Sequence, residues 1–296
     1  MVRKLIWLVA AAVAAAALTA SSSGATGGTS REVRVAPSFA RAAGGNASAI
    51  KNTRQAYSHA KRRAEAASLR PAAVEIEAIF DGSSSVPKRY TRASIKAFAS
   101  AVAAWPRPLP AGGGSRAQAP LNVLVRLVSG TSYSPESLAG TWRIRGVPGV
   151  QALPTRVTGD FTYRVIRYQR QRATATRAYR AARVEAQRAA RAIAAIRPKR
   201  VFCSDIAGAV SAAAQSYSTS GPRLLFIASD FAQYCKAQIA GSLRRVDILA
   251  VHLCWQAGVC KAQERTWERR FGAAHTTRFV RFERMNEALR RFLKEV

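Results

Sequence analysis

Residues 246–253 have the sequence VDILAVHL, and residues 224–228 have the sequence LLFIA. Both are short, nearly continuous apolar runs, which is the pattern expected of strands buried on both faces of a sheet. Residues 121–128, LNVLVRLV, predict a further strand. Residues 74–80 alternate between apolar and acidic side chains and predict a strand that ends at Asp81.

Helical spacing of apolar residues separates these strands. It predicts helices over 90–105, 163–196, 206–217, 261–271 and 284–293, and two shorter strands are expected at 142–147 and 279–282. Strands that alternate with helices across 71–296 predict an α/β, Rossmann-like fold with a mostly parallel central sheet and helices on both faces. Ligands of such sheets bind at the carboxyl ends of the strands.

Polar side chains follow the predicted strands at the edge where ligands are expected. The sequence DGSSS begins directly after the first strand, a serine precedes the helix at 206, and LLFIASD ends in an aspartate. The candidate ligands are Asp81, Ser83, Ser85, Ser204 and Asp230. Each has an ordinary alternative, a turn for the first group and a helix N-cap for Ser204. Together, three hydroxyls and two carboxylates favour a hard cation such as Mg²⁺.

This pattern resembles the metal-ion-dependent adhesion site of the von Willebrand factor type A (vWA) domain, which is D-x-S-x-S, then a Thr, then an Asp. The resemblance covers 71–296, with Ser204 at the position of the family's threonine. It implies that the three serines contact the ion directly and that Asp81 and Asp230 do so directly or through water. It also implies that 129–200 is an insertion. Mn²⁺ and Ca²⁺ are alternatives to Mg²⁺.

The proposed ion predicts binding rather than catalysis. Two carboxylates neutralise one divalent cation and leave a coordination position that a carboxylate of a protein partner can fill. The chain contains neither a G-x-S-x-G motif nor a phosphate-binding GxxxxGK[ST] loop, and its three histidines are dispersed. We therefore expect a protein that is not an enzyme. A hydrolase with an unrecognised site is a weak alternative.

Composition bounds the class of protein. The chain has 296 residues, of which 48% are hydrophobic and 21% charged, so global disorder is not expected. Its one long apolar run lies at the N-terminus, which argues against a polytopic membrane protein. The formal net charge is +31, from 47 basic and 16 acidic residues. Segments 31–70 (+7) and 162–200 (+11) together hold +18 of it.

The helix predicted at 163–196 combines an alanine-rich heptad seam, typical of a coiled coil, with exposed arginines. We expect the seam to pair with a second helix at 46–69. The arginines are either a solvated face or a patch for a polyanion, a membrane surface or an acidic cell-envelope surface, which gives an alternative function. A nucleic-acid partner fits the positive charge. The export signal argues against it, and so does the scarcity of aromatic residues between the arginines, which base stacking would need.

The first 30 residues predict a secreted or cell-envelope protein. Val2, Arg3 and Lys4 form a basic start, residues 5–20 are apolar, and 21–30 are small and polar. This is the pattern of a signal peptide cleaved after Ala20 or Ala25, with an uncleaved membrane anchor as the alternative. Residues 31–70 are expected to form a basic linker and helix.

An exported chain matures where disulfides form. The four cysteines are Cys203, Cys235, Cys254 and Cys260, which allow three pairings. We favour Cys254 with Cys260 and Cys203 with Cys235. Zinc is the alternative, because His252 is close in sequence, but the spacing lacks paired C-x2-C elements.

Overall fold

A central sheet of six strands organises the protein. The computed structural model describes residues 71–295, apart from 112–113, 129, 131, 133–134, 156–159, 199, 203, 218–219, 234–237 and 255. All described residues belong to the second of two units, 1–60 and 61–296. The strands are β1 (Val74–Phe80), β2 (Leu121–Leu127), β3 (Leu138–Ile144), β4 (Arg223–Ser229), β5 (Val246–His252) and β6 (Thr276–Arg281).

The strands lie in the order β3-β2-β1-β4-β5-β6. All neighbouring pairs are parallel except β2 and β3. Strands β2 and β3 follow on one side of β1, and β5 and β6 follow on the other side of β4. The chain therefore changes direction across the sheet between β1 and β4, and a topological switch point lies between their carboxyl ends. The predicted mostly parallel, Rossmann-like sheet is confirmed.

Within the described residues, five helices cover the two faces of this sheet. They are α1 (Lys88–Ala103), α2 (Phe161–Ala195), α3 (Ile206–Ser216), α4 (Ala257–Arg270) and α5 (Met285–Lys294). The buried residues of α1, α2 and α5 form one apolar cluster with one face of the sheet. Those of α3 and the end of α4 form a second cluster with the other face. The predicted two-sided layering is therefore confirmed.

Strand β1 is buried on both faces, including its two glutamates. Glu75 is 3% exposed and Glu77 is fully buried. Arg126 of β2 donates from Nε to the Glu77 Oε1 atom at 2.7 Å and from a terminal nitrogen to Ser137 Oγ at 2.7 Å. An ion pair with further hydrogen bonds is the arrangement that lets charges occupy a core.

Helix α2 lies against α1 through the alanine-rich seam. The buried members of the seam are Tyr168, Ala175, Ala182, Ala186, Ala189 and Ile193, with Ala190 beside them. Small side chains at these positions let the two helix backbones approach closely. The helix predicted at 46–69, and hence its pairing with α2, lies outside the described residues.

Strand β3 differs from its predicted position. It spans Leu138–Ile144 rather than 142–147, and it runs antiparallel to β2 at the edge of the sheet. Its residues are largely exposed, so it lacks the apolar run that marks the central strands. Among the described residues, no helix is long and apolar enough to span a membrane. The signal predicted at 1–30 and the linker at 31–70 lie outside them.

Candidate metal centre

The carboxyl ends of β1 and β4 are joined by hydrogen bonds beside the switch point. The amide of Asp81 donates to the carbonyl of Ala228 at 3.0 Å. The hydroxyl of Ser229, the last residue of β4, donates to Asp81 Oδ2 at 2.7 Å. Asp81 is fully buried and Asp230 is 9% exposed. The parallel register thus brings two sequence-distant aspartates to one edge of the sheet.

The loop after β1 folds back on the Asp81 carboxylate. The Ser83 amide donates to Asp81 Oδ1 at 2.8 Å, as in an Asx turn. The hydroxyls of Ser83 and Ser85 lie 2.8 Å apart. Thr91 of α1 donates its hydroxyl to the Asp81 carbonyl at 2.8 Å and ties the loop to that helix. The D-x-S-x-S element therefore gathers its three oxygen-bearing side chains in one turn.

Ser204 is brought to the same loop by the segment before α3. Val201 forms an isolated parallel bridge with Ser83, and the Ser84 amide donates to the Val201 carbonyl at 3.1 Å. The Ser204 side chain is fully buried, and its hydroxyl has no hydrogen-bond partner among the described residues. A buried hydroxyl without a hydrogen bond is energetically costly, and a ligand that binds its oxygen lone pairs would remove that cost.

The N-cap alternative for Ser204 is excluded by its neighbour. Asp205 caps α3, accepting a hydrogen bond from the Gly208 amide at 2.8 Å. A Cβ at position 208 would lie 2.0 Å from the Asp205 carboxylate, so this cap requires glycine there. Because Asp205 caps α3, the Ser204 hydroxyl is not needed as the cap.

The turn after β4 sets the direction of Asp230. Asp230 Oδ1 accepts from the Ala232 amide at 3.0 Å. Phe231 has φ of 57°, a left-handed conformation that is unfavourable for a bulky side chain. Trp267 holds it by donating from Nε1 to the Phe231 carbonyl at 3.0 Å. A strained residue held by packing directly after a candidate ligand is common at functional sites.

The two carboxylates have unfavourable electrostatics without a cation. Burial raises the pKa of the Asp81 carboxyl above its ordinary value; hydrogen bonds from Ser229 and Ser83 oppose the rise, and the nearby Asp230 charge adds to it. None of the ion pairs among the described residues involves Asp81 or Asp230. Although the chain has a net charge of +31, these two acidic groups have no basic partner in the part of the chain that the structure describes.

The residues present fit a divalent cation. Four of the five candidate ligands lie on the loops at the β1 and β4 carboxyl ends, and Ser204 lies on the segment that Val201 bridges to the first of these loops. The donors are exclusively oxygen, which Mg²⁺ and Ca²⁺ prefer. One such ion could satisfy both the Ser204 hydroxyl, which has no partner among the described residues, and the neighbouring carboxylates. Asp81, Ser83, Ser85, Ser204 and Asp230 would hold it, and the ion would supply a positive charge and an open coordination position.

Two contributors to this site were not predicted from the sequence. Ser229 donates to Asp81 and accepts from the Phe231 amide at 2.8 Å. Thr91 fixes the first loop. Ser229 could have been found, since it directly precedes Asp230 at a strand end. Thr91 lies ten residues after Asp81, inside a helix, and no sequence pattern distinguishes it.

Metal affinity is expected to fall in acid because of the raised Asp81 pKa. The folded carboxyl holds its proton more tightly than the unfolded one, whose pKa is about 3.9. The metal-free fold therefore loses stability as pH rises from that value through the raised pKa. A cation must displace this proton, so below the raised pKa its affinity should drop by about tenfold per pH unit. Calorimetric Mg²⁺ titrations across the acidic range measure this, and a pH-independent affinity would contradict it.

Comparison with known proteins finds no matching family model and no matching curated protein. The chain is similar to a solved structure of proximal thread matrix protein 1 from the mussel byssus. The two share 9% sequence identity, with a TM-score of 0.39. The match covers 77% of this chain and 46% of that chain, so this chain spans less than half of that protein's length.

Proposed function

We propose that this chain is an exported vWA-like binding protein that holds a divalent cation, Mg²⁺ or alternatively Mn²⁺ or Ca²⁺, at the switch point. Through that ion it binds a carboxylate on a protein partner. One observation carries the proposal: among the described residues, Asp81 and Asp230 are buried close to each other without a basic partner. The segment bridged to Ser83 brings in Ser204, whose buried hydroxyl likewise has no partner among those residues. The export part of the proposal depends on residues 1–30.

The charge balance supports binding through the ion. Asp81 and Asp230 neutralise one divalent cation, and serine hydroxyls add ligands without charge. A partner carboxylate in the open position would give the cation a third anionic ligand. The bridging interaction is then strong only while both the ion and the partner's carboxylate are present.

The donor set also supports binding rather than turnover. The cluster consists of hydroxyl and carboxylate oxygens, and the imidazole of His252 lies against the Asp230 carbonyl, with Nε2 3.2 Å from its oxygen. Ser83 and Ser85 contact each other rather than a general base. An activated nucleophile needs such a base within hydrogen-bonding reach. We therefore propose that the protein is not an enzyme.

Ser204→Ala is expected to separate metal binding from folding. The hydroxyl makes no hydrogen bond to the described residues, so its removal should leave the metal-free stability within about 0.5 kcal/mol. Loss of a cation ligand should weaken Mg²⁺ binding by about tenfold or more. Calorimetry and thermal unfolding measure the two effects. Ser204→Thr, which keeps the oxygen, is the matched control, and an unchanged Mg²⁺ affinity in Ser204→Ala would contradict the proposed ligand set.

The partner carboxylate can be tested with a synthetic peptide that carries one aspartate. Binding of Mn²⁺-loaded protein to this peptide should disappear with a chelator, with the asparagine version of the peptide, and with Asp230→Asn. Equal binding to the aspartate and asparagine peptides would exclude a bridging role for the ion.

A second candidate function has its own observation. The exposed face of α2 carries a row of arginines, namely Arg167, Arg170, Arg177, Arg180, Arg183, Arg188 and Arg191. Glu185 offsets only part of this charge. It attracts Arg188, but it is paired with Arg145, which follows β3 and donates from Nε to Glu185 Oε1 at 2.8 Å. This face suits a polyanion or an anionic membrane surface.

Binding to anionic lipid vesicles distinguishes the second function. If the arginine face acts, binding should fall steeply as salt increases, persist with a chelator, and decrease in a variant with Arg177, Arg180 and Arg183 changed to Gln. Ser204→Ala is the control and should bind the vesicles like the wild type. Salt-independent binding would contradict this alternative.

A further inference from the structure

A second cluster of possible metal ligands lies at the carboxyl end of β5, and none of its side chains belongs to the oxygen site. His252 is the last residue of β5, Cys254 follows two residues later, and Cys260 lies in the first turn of α4. One ligand atom from each of these residues lies within 4.8 Å of the other two. The two cysteines form a disulfide with Cα atoms 5.7 Å apart.

His252 is fixed by contacts to both ring nitrogens. Nδ1 lies 2.9 Å from Glu264 Oε1, and Nε2 lies 3.1 Å from Gln263 Oε1. The residue is 4% exposed, and Phe231 packs edge-on against its ring. Nε2 also lies 3.2 Å from the Asp230 carbonyl oxygen. A metal would take the place of the present partners of one nitrogen, while the other nitrogen keeps its own. A carboxylate behind a ligating imidazole is the usual support of a zinc histidine.

Small molecules can reach the disulfide. A cavity of about 420 Å³ is lined by His252, Cys254, Cys260 and Glu264, with Tyr90 and Arg281 at its sides. Both cysteines are partly exposed. A dithiol can thus attack a sulfur from this cavity.

We propose that reduction of the Cys254–Cys260 disulfide creates a site for a thiophilic divalent cation, Zn²⁺ in the first instance, with His252, Cys254 and Cys260 as ligands. The reductant is a dithiol. Two exchange steps transfer two electrons to the disulfide, which becomes two thiols, and the dithiol becomes its own disulfide. Metal binding then releases one proton from each thiol and forms two metal–thiolate bonds.

The ligand chemistry favours zinc at this site and not at the first one. Two thiolates and one imidazole are soft to borderline donors that select zinc over Mg²⁺. Three protein ligands leave a fourth, open position, which the cavity accommodates. Zinc–sulfur bonds of about 2.3 Å hold two sulfurs roughly 3.8 Å apart. Side-chain rotation can reach that separation, since the Cα positions already suit closely placed sulfurs.

The absence of C-x2-C pairs in the sequence is explained by the fold. The return from β5 into the first turn of α4 brings Cys260 back to Cys254, so a longer spacing serves the same purpose. In the oxidised protein the sulfurs are bonded to each other and cannot act as thiolate ligands. The cluster is therefore a metal site only after reduction.

Cobalt binding tests the proposal in the full chain. The protein is reduced with a small dithiol, freed of it without oxygen, and titrated with Co²⁺, whose tetrahedral thiolate complexes absorb strongly in visible light. We expect one Co²⁺ per chain, displaced by Zn²⁺, and no such absorption in the oxidised protein. Glu264→Gln should weaken binding by about 10- to 100-fold, as loss of a carboxylate behind a metal ligand does.

Matched variants assign the absorption to these residues. Cys254→Ser and His252→Gln should abolish it, whereas Cys203→Ser/Cys235→Ser, which keeps the cluster, should retain it. If that double variant does not fold by circular dichroism, the comparison of reduced wild type with reduced Cys254→Ser decides. The proposal is overturned if reduced protein fails to bind Co²⁺ or if Cys254→Ser binds it equally well. Ser204→Ala should bind Co²⁺ normally, so failure of one site does not imply failure of the other.

Discussion

Asp81→Asn should abolish the stabilisation of the protein by Mg²⁺ while leaving the metal-free protein at least as stable as the wild type. The variant removes the negative charge on which the cation depends and keeps the size of the side chain. It also removes a buried charge whose pKa is raised by burial, so the metal-free fold gains rather than loses. At 100 times its Kd, an ion stabilises the wild type by about 2.7 kcal/mol. For a domain of this size that is roughly 5 to 10 °C in Tm.

Thermal unfolding with Mg²⁺ and with chelator measures this effect. Asp247→Asn is the matched control, because Asp247 lies near the amino end of β5, at the opposite edge of the sheet. It should keep the full Mg²⁺ response. An Asp81→Asn protein that is still stabilised like the wild type would show that Mg²⁺ acts elsewhere.

Arg126→Met should be the most destabilising single change in the core of the sheet. It leaves the fully buried Glu77 carboxylate without its cation and removes the hydrogen bond to Ser137. Removal of one member of a buried ion pair costs about 3–5 kcal/mol. Urea unfolding should show this as a lower midpoint, and the double variant Glu77→Gln/Arg126→Met should regain much of the loss.

An exposed ion pair provides the control for Arg126. The side chain of Arg145 is 58% exposed and pairs with Glu185, so Arg145→Met should cost no more than about 1 kcal/mol. Equal losses in Arg126→Met and Arg145→Met would mean that burial does not determine the contribution of these pairs.

The Arg126 pair also supports the candidate site. Ser137, which accepts from Arg126, donates to the Ser132 carbonyl at 2.7 Å. The Ser132 amide donates to Asp205 Oδ2 at 3.2 Å. Asp205 caps α3 and is the neighbour of Ser204 in the chain. A polar network therefore runs from the middle of the sheet to the backbone that positions one of the proposed ligands.

The central strands could be predicted because a strand buried on both faces is apolar at nearly every position. Residues 224–228 and 246–253 are apolar almost throughout, and the structure places 224–228 in β4 and 246–252 in β5. Strand β3 was placed only approximately, since an exposed edge strand has no such constraint. The alternation in β1 predicted a strand but not the pairing of its buried Glu77 with Arg126, which is a long-range contact that periodicity does not reveal.

The candidate ligands that come directly after a strand could be predicted from the sequence. Asp81 and Asp230 come after two parallel strands, and neighbouring parallel strands end at the same edge. That β1 and β4 are neighbours is a property of the topology. The approach of Ser204 depends on the bridge between Val201 and Ser83, two short irregular segments without a sequence signal. Likewise, the proximity of Cys254 to His252 and Cys260 needs the turn between β5 and α4.

The most direct test of the proposed ion site is an anomalous difference map from crystals soaked in Mn²⁺. We expect one strong peak at the carboxyl ends of β1 and β4, within about 2.5 Å of oxygens of the Asp81–Ser85 loop and Ser204. The same crystals of Asp81→Asn should lack it. At saturating Mn²⁺, a map with no peak there, or with its peak only at other residues, would contradict the account.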